Sequence, residues 1–534
     1  MWLTRLALLT VLPVLGADYY ASPSGSGTTC TIGTPCDLDT GLTTTGPVSP
    51  SDTLWLRAGT YGSGGSTEFP SSGTLIAGTS GNQITIRPYP DEKAVINGGI
   101  DITNCAFTTV QDLWFTNTST NRSDDSDTNF RPAGLNLRAG GGGGCKAVRN
   151  KIGNCGHPGV GLWSQGSSTG GEAYGNVIFA CGYYDTKVTF QTDRGSAVYM
   201  QTTSGDAYQV TVDSNLTFWQ HTTGGKGYAE GAEVDNILWT RNTAFENAKG
   251  TSSSEFDHFI AKNGAGGADN ITYTYNNTYQ TPTTSPEGGA RMGYNRDNGT
   301  LVATNNYVVS GHFGTTGIFL IERWGVLTFT DNTSVSGHST GRVIHHRDWL
   351  GGAETVTWDS NNYFHSYSTP FNKDGSVYDF ADWKTATGWD ASSTATATLP
   401  TTNRITVIPT DAKYADANGG LDTGFVILYN WEASGSVSVD LSTILENGDR
   451  YEIWDAQCLN TLAGDSCTVV TEGTYTGASV SIATGRTQVS TQYGTSYTHS
   501  DSQFEAFFVR PATGAEAAYQ VTGSTIRSGS SLDY

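Results

Sequence analysis

The chain has 534 residues, and its 50 Asp and Glu residues outnumber its 29 Lys and Arg residues, giving a formal net charge of −21. Such a chain lacks the basic face that phosphate binding needs, so nucleic acid is excluded as an expected partner. Gly contributes 67 residues, strong helix formers are scarce and β-branched residues are common, which predicts an all-β fold. The length exceeds what one core needs, so at least two domains are expected.

The first residues have the pattern of an export signal. Arg5 supplies a positive charge, residues 6–15 are apolar, and Gly16-Ala17 suits cleavage, so residues 1–17 are predicted to be a signal peptide. The apolar run is too short to span a bilayer, and no later segment is long enough to do so. We therefore expect a secreted protein with no membrane partner.

Eight cysteines fit an oxidising compartment. Cys30 and Cys36 are close enough in sequence to close a small loop, and so are Cys458 and Cys467. The other four are expected to pair across neighbouring coils, in a connectivity that the sequence leaves open; they are Cys105, Cys145, Cys155 and Cys181.

Short β-rich runs recur from about residue 50 to residue 365. The later ones share alternating apolar residues, a central polar pair that usually contains Asn, and a second apolar pair, as in NILWTRNTAFEN, NITYTYNNTYQT and VLTFTDNTSVSG. We interpret each run as one coil, with the Asn at a bend where it tolerates left-handed geometry and hydrogen-bonds along a stack. Stacked coils predict a right-handed parallel β-helix with an N-terminal cap over residues 18–391.

A different pattern follows the repeats. Residues 379–391, with Trp383, predict a short helical turn that leads away from the solenoid, and residues 392–403 have the composition of a linker. Runs such as RITVIP, GFVILYNW and EAFFVRP alternate cleanly, so residues 404–511 are predicted to form a small antiparallel β-sandwich. We expect this sandwich to cover the open C-terminal end of the solenoid, and residues 512–534 to form a polar tail.

Several segments resemble known proteins. YYASPSGSGTTC, DTLWLRAGTY and ITIRPYPDEKAVINGG are similar to the opening of pectate-lyase-like β-helix proteins. GHPGVGLWSQ, EAYGNVIFACG and the sandwich sequence resemble secreted bacterial β-helix proteins that carry a C-terminal sandwich. The resemblance spans most of the chain and implies the architecture, but this superfamily holds lyases, hydrolases, epimerases and inert binding proteins. Relatives usually carry His-Gly-His after Asp-Arg-Gly, where this chain has Ser196-Ala197.

A β-helix offers the outward positions of one sheet as a groove for a linear polymer, with equivalent residues about 5 Å apart. Aligning the strand that opens each coil predicts a row of polar and aromatic residues. A slip of one residue would turn a side chain inward. The residues in or beside the row are Trp163, Gln201, Glu230, Lys262, Arg291, Glu322, Arg323 and Arg347.

Lyases of acidic sugars abstract a proton next to a carboxylate, using a base and a cation or Arg that neutralises the carboxylate. Lys262 fits the role of base, with Arg323 or Arg347 as the partner, while His258 and His345 are alternative bases. Calcium is the one cofactor considered, and no organic cofactor is expected. The predicted calcium ligands are Glu230, Glu233 and Asp257, with Asp235 as a further candidate.

Two alternatives stay open. Glycoside hydrolysis needs two carboxyl groups, which Asp193, Glu230 and Glu322 can supply. A non-catalytic extracellular protein would hold glycans through aromatic rings, which equally well pack in a core. The predicted substrate-binding residues are Trp163, Tyr199, Gln201, Arg291, Tyr294, Trp324 and His157.

The favoured function is a secreted, monomeric polysaccharide lyase that cleaves an acidic glycan by β-elimination. The predicted catalytic residues are Lys262, Arg323, Arg347, Asp193, Glu322 and His258.

Overall fold

The structure is a computed structural model. It describes residues 16–124, 131–139, 143–165, 170–186, 192–202, 209–250, 256–264, 266–282, 288–311, 317–411, 413–414, 423–459 and 467–512. Most of the predicted signal peptide (residues 1–15) and most of the predicted tail (residues 513–534) lie outside the described residues.

Residues 18–396 form a right-handed parallel β-helix in which the chain passes in turn through three sheets of 12 strands. Sheet A contains Asp18–Ala21, Thr53–Leu56, Ile84–Pro88, Thr108–Gln111, Lys146–Val148, Glu172–Tyr174, Val210–Asp213, Asp235–Thr240, Asp269–Thr274, Asn298–Thr304, Trp324–Thr330 and Thr355–Asp359. Sheet B contains Gly59–Tyr61, Ala94–Asn97, Trp114–Thr116, Lys151–Gly153, Val177–Phe179, Leu216–Phe218, Thr243–Phe245, Asn277–Tyr279, Tyr307–Val309, Thr333–Ser336, Asn362–His365 and Thr394–Thr396. Sheet C contains Glu68–Phe69, Gly99–Thr103, Leu135–Arg138, Val160–Gln165, Val198–Thr202, Gly225–Ala229, Phe256–Lys262, Gly288–Met292, Gly317–Glu322, Arg342–Arg347, Phe371–Lys373 and Ser376–Tyr378.

The corner between sheets A and B is built by a ladder of buried asparagines. Asn242 accepts a hydrogen bond from the backbone N–H of Asn215 at 3.0 Å and donates to the carbonyl of Val212 at 2.8 Å. The residue before it, Arg241, has a φ of 54°, and the same left-handed geometry precedes every rung. The predicted Asn stack is thus present, but the left-handed residue lies one position before the Asn. The rungs are Asn150, Asn176, Asn215, Asn242, Asn276, Asn306, Asn332 and Asn361.

The predicted antiparallel sandwich is confirmed as part of the fold. Its five-stranded sheet has the order Arg404–Pro409, Gly424–Tyr429, Phe504–Pro511, Arg450–Asp455 and Thr471–Thr474. Its second sheet pairs Ser436–Val439 with Val480–Ala483. A 3₁₀ turn spans Ala456–Cys458, and a small three-stranded sheet beside the solenoid joins Ser123–Asp124, Tyr183–Asp185 and Thr192–Arg194.

The sandwich packs against the side of the solenoid, on the outer face of sheet B. Phe179, Phe218 and Phe245 stand in register on neighbouring strands, with ring centroids 5.4 and 4.9 Å apart. Phe504 of the sandwich stacks on Tyr279 of the same row at 4.6 Å. The expectation that the sandwich covers the C-terminal end is therefore wrong, because this outward aromatic row is the apolar surface that must be removed from water.

The ends of the solenoid are covered by short helices. At the C-terminal end the helix Phe380–Thr387 begins at the capping residue Asp379, and its fully buried Trp383 stacks on Phe371 at 5.2 Å. The helical turn thus folds back over the core instead of leading away. Thr394–Thr396, within the expected linker, pairs with the strand Asn362–His365 of sheet B. At the N-terminal end the helix Leu38–Leu42 buries its leucines.

Four disulfides are formed. Two close local loops, Cys30–Cys36 and Cys458–Cys467, and two join neighbouring coils, Cys105–Cys145 and Cys155–Cys181. The predicted loop closures and the predicted cross-coil pairing are confirmed, and the structure supplies the connectivity. Among the residues that the structure describes, no helix combines the length and apolar character needed to cross a membrane.

Candidate functional site

Two rows of side chains point outward from sheet C and line its groove. Parallel strands lie about 4.8 Å apart, so the five steps from Tyr199 to His345 span roughly 24 Å. The first row runs through Tyr199, Lys226, Phe259, Arg291, Leu320 and His345. The second row, two residues further along each strand, includes Arg138, Trp163, Tyr228, Glu322 and Arg347.

A carboxylate between two guanidiniums lies at one end of this groove. Arg291 donates through Nε to Glu322 at 2.7 Å, and Arg347 donates through Nη1 to the other carboxylate oxygen at 2.5 Å. Glu322 is 0% exposed, although it points outward, because the two arginines cover it. Two positive charges share one negative charge, so the cluster keeps a surplus of positive charge at the groove.

His345 lies in the first row beside this cluster and is only 5% exposed. Burial, with the neighbouring charges of Arg347 and Arg342, lowers its pKa to about 3, so its imidazole is neutral at ordinary pH. Within the described part of the chain, its Nδ1 has no hydrogen-bond partner. Nδ1 is therefore an unused acceptor, and burial and the guanidiniums keep its proton affinity low.

The middle of the groove is lined by cations and aromatic rings. The Arg291 guanidinium carbon lies 4.5 Å from the ring centroid of Tyr294 and 5.4 Å from that of Phe259. Phe259 in turn stacks on Tyr228 at 5.6 Å. Phe259 and Lys226 also line the groove, although neither was predicted from the sequence. The run GKGYA carried a signal for Lys226, since its glycines alternate with the two outward side chains of that strand.

The other end of the groove holds an aromatic cluster. The ring centroids of Trp163 and Tyr199 are 4.6 Å apart, and His157 meets Tyr199 edge-on at 5.2 Å. Gln201 donates to the Tyr199 hydroxyl at 3.1 Å. Burial, with nearby positive charges, lowers the pKa of His157 to about 3. The four predicted residues of this cluster therefore lie together, about 20 Å from the arginine pair.

Lys262 does not face the groove. It follows the outward position Ala261 by one residue, and its Nζ contacts the Glu233 carboxylate with only 6% of its side chain exposed. Arg323, with a φ of 60°, turns away from the groove and donates to the carbonyl of Asn295 at 3.3 Å. The predicted pairing of Lys262 with Arg323 or Arg347 is wrong, because the alternation of a strand sends adjacent residues to opposite sides.

The predicted calcium ligands do not converge. Asp257 is 1% exposed at the start of its strand, where it accepts hydrogen bonds from Asn247 and Gln280. Glu233 lies beyond the opposite end of the sheet C strands, against Lys262, and Glu230 accepts from the Tyr228 hydroxyl at 3.1 Å. The length of a strand separates Asp257 from the two glutamates, so this donor set does not fit one calcium ion.

Two further predicted residues lie in the core. His258 hydrogen-bonds the Tyr273 hydroxyl at 2.8 Å and meets Trp239 edge-on at 5.4 Å. Trp324 is fully buried and donates from Nε1 to the carbonyl of Met292 at 3.1 Å. Neither side chain reaches the groove, so the predicted roles of His258 in catalysis and of Trp324 in substrate binding are wrong.

Asp193 lies outside the groove, in the small three-stranded sheet. Its carboxylate is 3.6 Å from Nδ1 of His221. The sheet C strand that follows Asp193 is four strands from that of Glu322, or roughly 19 Å. Paired catalytic carboxyl groups stand about 5 to 9.5 Å apart, so these two do not form a hydrolase pair.

The fold and the groove define a right-handed parallel β-helix protein with a side-packed sandwich and a basic, aromatic groove on sheet C. No protein-family profile and no curated protein sequence matches this chain. Among solved structures, pectate lyase Pel9A is 14% identical, with 72% of this chain and 88% of that chain covered and a TM-score of 0.31.

A mannuronic acid specific polysaccharide family 6 lyase from human gut microbiota is 13% identical, over 72% of this chain and 92% of that chain, with a TM-score of 0.35. The lacto-N-biosidase of Eubacterium ramulus is 11% identical, over 65% of this chain and 68% of that chain, with a TM-score of 0.36. Likenesses of this kind leave the chemistry open, since the chemistry depends on the side chains in the groove.

Proposed function

We propose that the protein is a secreted polysaccharide lyase that cleaves an acidic glycan by β-elimination in the groove of sheet C. The observation that carries this proposal is the neutral His345 beside the pair of arginines held by Glu322. The positive surplus at the groove contrasts with the net charge of −21 on the whole chain.

The groups have complementary roles in this reaction. Arg347 uses Nη1 for Glu322, and its remaining donors suit a sugar carboxylate bound bidentately. Neutralising that carboxylate stabilises the negative charge that develops when the adjacent C–H proton leaves. His345 is the base: it takes that proton, a C–C double bond forms as the glycosidic C–O bond on the next carbon breaks, and the leaving oxygen takes a proton from water. The carboxylate bound beside His345 raises its proton affinity by offsetting the positive charges that depress it. Glu322 is a positioning residue, because it orients both guanidiniums.

The rest of the groove binds the sugars of the polymer on one side of the reacting residue. Tyr294 and Phe259 offer apolar surface next to Arg291, and Trp163 with Tyr199 offers a second aromatic surface further along. The flat faces of sugars pack on such rings, while Lys226 between the two surfaces suits another acidic residue of the chain. Calcium has no part in this proposal, because its predicted ligands do not converge.

The proposal is tested by incubating the protein with polyuronates and with a neutral polysaccharide. The appearance of unsaturated uronates is followed by ultraviolet absorbance, and reducing ends are measured in parallel. We expect absorbance with an acidic glycan only, and a decrease of about 10²–10⁴-fold in its rate for His345→Gln. The matched control is His338→Gln, a histidine of another turn. Reducing ends without new absorbance, or equal rates for both variants, would refute the lyase.

A second candidate is a protein that binds acidic glycans without cleaving them. It is favoured by Ser196-Ala197 in place of the His-Gly-His run, since Ser196 is buried and its hydroxyl is bonded to Thr222 and Thr223 at 3.3 and 2.9 Å. The same assay separates the two functions when it is combined with affinity electrophoresis in gels that contain the polyuronates. Retardation without any product supports binding alone.

A further inference from the structure

A second positively charged cluster lies on the outer face of sheet B, at the edge of the area that the sandwich covers. Trp114 and Lys151 are neighbours in one outward row of that sheet. The sandwich strand Phe504–Pro511 brings Phe508 and Arg510 next to them, and together these side chains line a cavity of about 240 Å³.

The ammonium groups at and beside this cavity are held by aromatic rings: Lys151 lines the cavity, and Lys93 lies just outside its lining. Nζ of Lys151 lies 4.4 Å from the ring centroid of Trp114 and 4.5 Å from that of Phe508, and Nζ of Lys93 lies 3.5 Å from Trp114. Among the described residues neither lysine forms an ion pair with a carboxylate. A ring attracts a cation without cancelling its charge, so the N–H donors stay available to an anion.

The neighbouring charges do not compensate the two lysines. Arg510 binds Glu452 at 2.8 Å, and Asp112 is already shared by two other arginines. Burial, together with the charge of Arg510, lowers the pKa of both Lys93 and Lys151. An anion bound here would reduce the repulsion between the two lysines and Arg510. The rings of Trp114 and Phe508 supply apolar surface next to that anion.

We propose that this cavity binds the anionic group of an acidic sugar, a carboxylate or a sulfate ester, as a glycan-binding site separate from the groove on sheet C. Lys151 donates hydrogen bonds to the anion, Lys93 adds positive charge from just outside the cavity lining, and Trp114 contacts the C–H groups of the sugar ring. The site lies between the solenoid and the sandwich, and the sandwich contributes Thr410, Thr423, Phe508 and Arg510 to its lining.

The test is calorimetric titration of the full chain carrying Arg291→Gln, so that the groove is weakened. The probes are trigalacturonate, a sulfated chondroitin tetrasaccharide and inorganic sulfate. We expect one of the two oligosaccharides to bind, and Lys151→Met to weaken that binding about tenfold or more through the lost charge-assisted hydrogen bonds. The oligosaccharide that binds identifies the anion as carboxylate or sulfate ester.

The matched control is Lys384→Met, because Nζ of Lys384 also lies over a ring, 4.8 Å from the centroid of Phe380, but in the helix at the C-terminal end. If Lys151→Met fails to fold, Lys93 is replaced by Met instead, and a smaller loss of about two- to fivefold is expected because Lys93 acts through its charge from outside the cavity lining. Unchanged affinity in the variant that folds, equal losses in Lys384→Met, or binding of inorganic sulfate as tight as that of the oligosaccharide would overturn the site. Cleavage is not measured, so a failure here is distinct from a failure of the lyase proposal.

Discussion

Arg291 and Glu322 belong to neighbouring strands of sheet C, and Nε of Arg291 lies 2.7 Å from the Glu322 carboxylate. The pair is one half of a bridge, because Arg347 on the next strand binds the other oxygen at 2.5 Å. A single buried carboxylate therefore sets the positions of two guanidiniums that belong to coils on either side of it. Such a bridge forms only when three successive coils are in register.

The first prediction concerns that bridge. Glu322→Gln leaves two cations without their shared carboxylate, and we expect the free energy of unfolding to fall by about 2–3 kcal/mol, less than for a fully buried pair because both arginines are partly exposed. Chemical denaturation measures the change. Glu230→Gln, at an exposed carboxylate beyond the strand, is the control and should change stability by less than about 0.5 kcal/mol. Equal effects would contradict the structural role of Glu322.

The second prediction concerns the pH dependence of cleavage. The base must be neutral, and the pKa of His345 is lowered from 6.5 to about 3, so kcat/KM should keep its value as the pH falls through 6 and 5. This is checked by measuring kcat/KM against pH over the range in which circular dichroism shows the fold to be intact. An acidic limb centred near pH 6.5 would assign the base to another group.

The third prediction concerns stability and the core histidine His258, whose pKa burial lowers from 6.5 to about 3. Between these pH values the imidazole of His258 binds a proton in the unfolded chain but not in the folded protein. The free energy of unfolding therefore rises with pH in this window, and the stabilisation gained from His258 reaches its full value above pH 6.5. Replacing His258 with Gln should lower the slope in this window by about 1.4 kcal/mol per pH unit.

Denaturation curves at several pH values give that slope. Tyr273→Phe is the control, because it removes the hydrogen-bond partner of His258 but keeps the titrating ring. A slope that changes equally in both variants would mean that the proton is not taken up by His258.

The fourth prediction concerns the asparagine ladder. Asn276 accepts from the backbone N–H of Asn242 at 3.0 Å and donates to the carbonyl of Trp239 at 3.0 Å. Asn276→Ala leaves both buried groups unpaired, so the free energy of unfolding should fall by about 2–4 kcal/mol. Thermal and chemical unfolding check this value. Thr272→Ala, at a half-buried position of the same coil, should cost less than about 1 kcal/mol, and an equally small loss for Asn276 would show the ladder to be dispensable.

The fifth prediction concerns glycosylation. Asn215, Asn276 and Asn332 stand in N-x-S/T sequences but are buried ladder rungs, whereas Asn121 and Asn270 stand in such sequences and are exposed. Since a glycan has no room at a rung, folded protein secreted from a glycosylating host should carry glycans only at the two exposed positions among these five. Peptide mass spectrometry decides this, and a glycan found at any rung would contradict the burial.

The solenoid could be predicted from the repeats, because the pattern of each coil lies within a short segment of the sequence. Apolar residues alternate within each run and Asn recurs after a strand, so the β-helix, the ladder and the cross-coil disulfides follow from short segments. The same reasoning placed Arg291, Glu322 and Arg347 near one another, although the structure puts Arg291 in the first row and the other two in the second row.

Other parts of the site depended on a register that no short segment specifies. Lys262 follows the outward position of its strand by one residue. Because side chains alternate along a strand, this shift of one residue puts Lys262 on the opposite side of the sheet. His258 carries a polar side chain at an inward position, where burial and Tyr273 decide its state. The residue type alone does not distinguish Lys262 and His258 from groove residues, because lysine and histidine occur at both inward-facing and outward-facing positions of these strands.

By itself the sequence determined an all-β chain with eight cysteines, with coils long enough to stack and a sandwich after them. Only the tertiary structure decided that the sandwich lies on sheet B, that Nδ1 of His345 has no hydrogen-bond partner among the described residues, and that the predicted calcium ligands stand apart. The physical reason is that hydrogen-bonded coils repeat locally, whereas burial, charge pairing and side-to-side packing depend on residues that are dozens of positions apart in the chain.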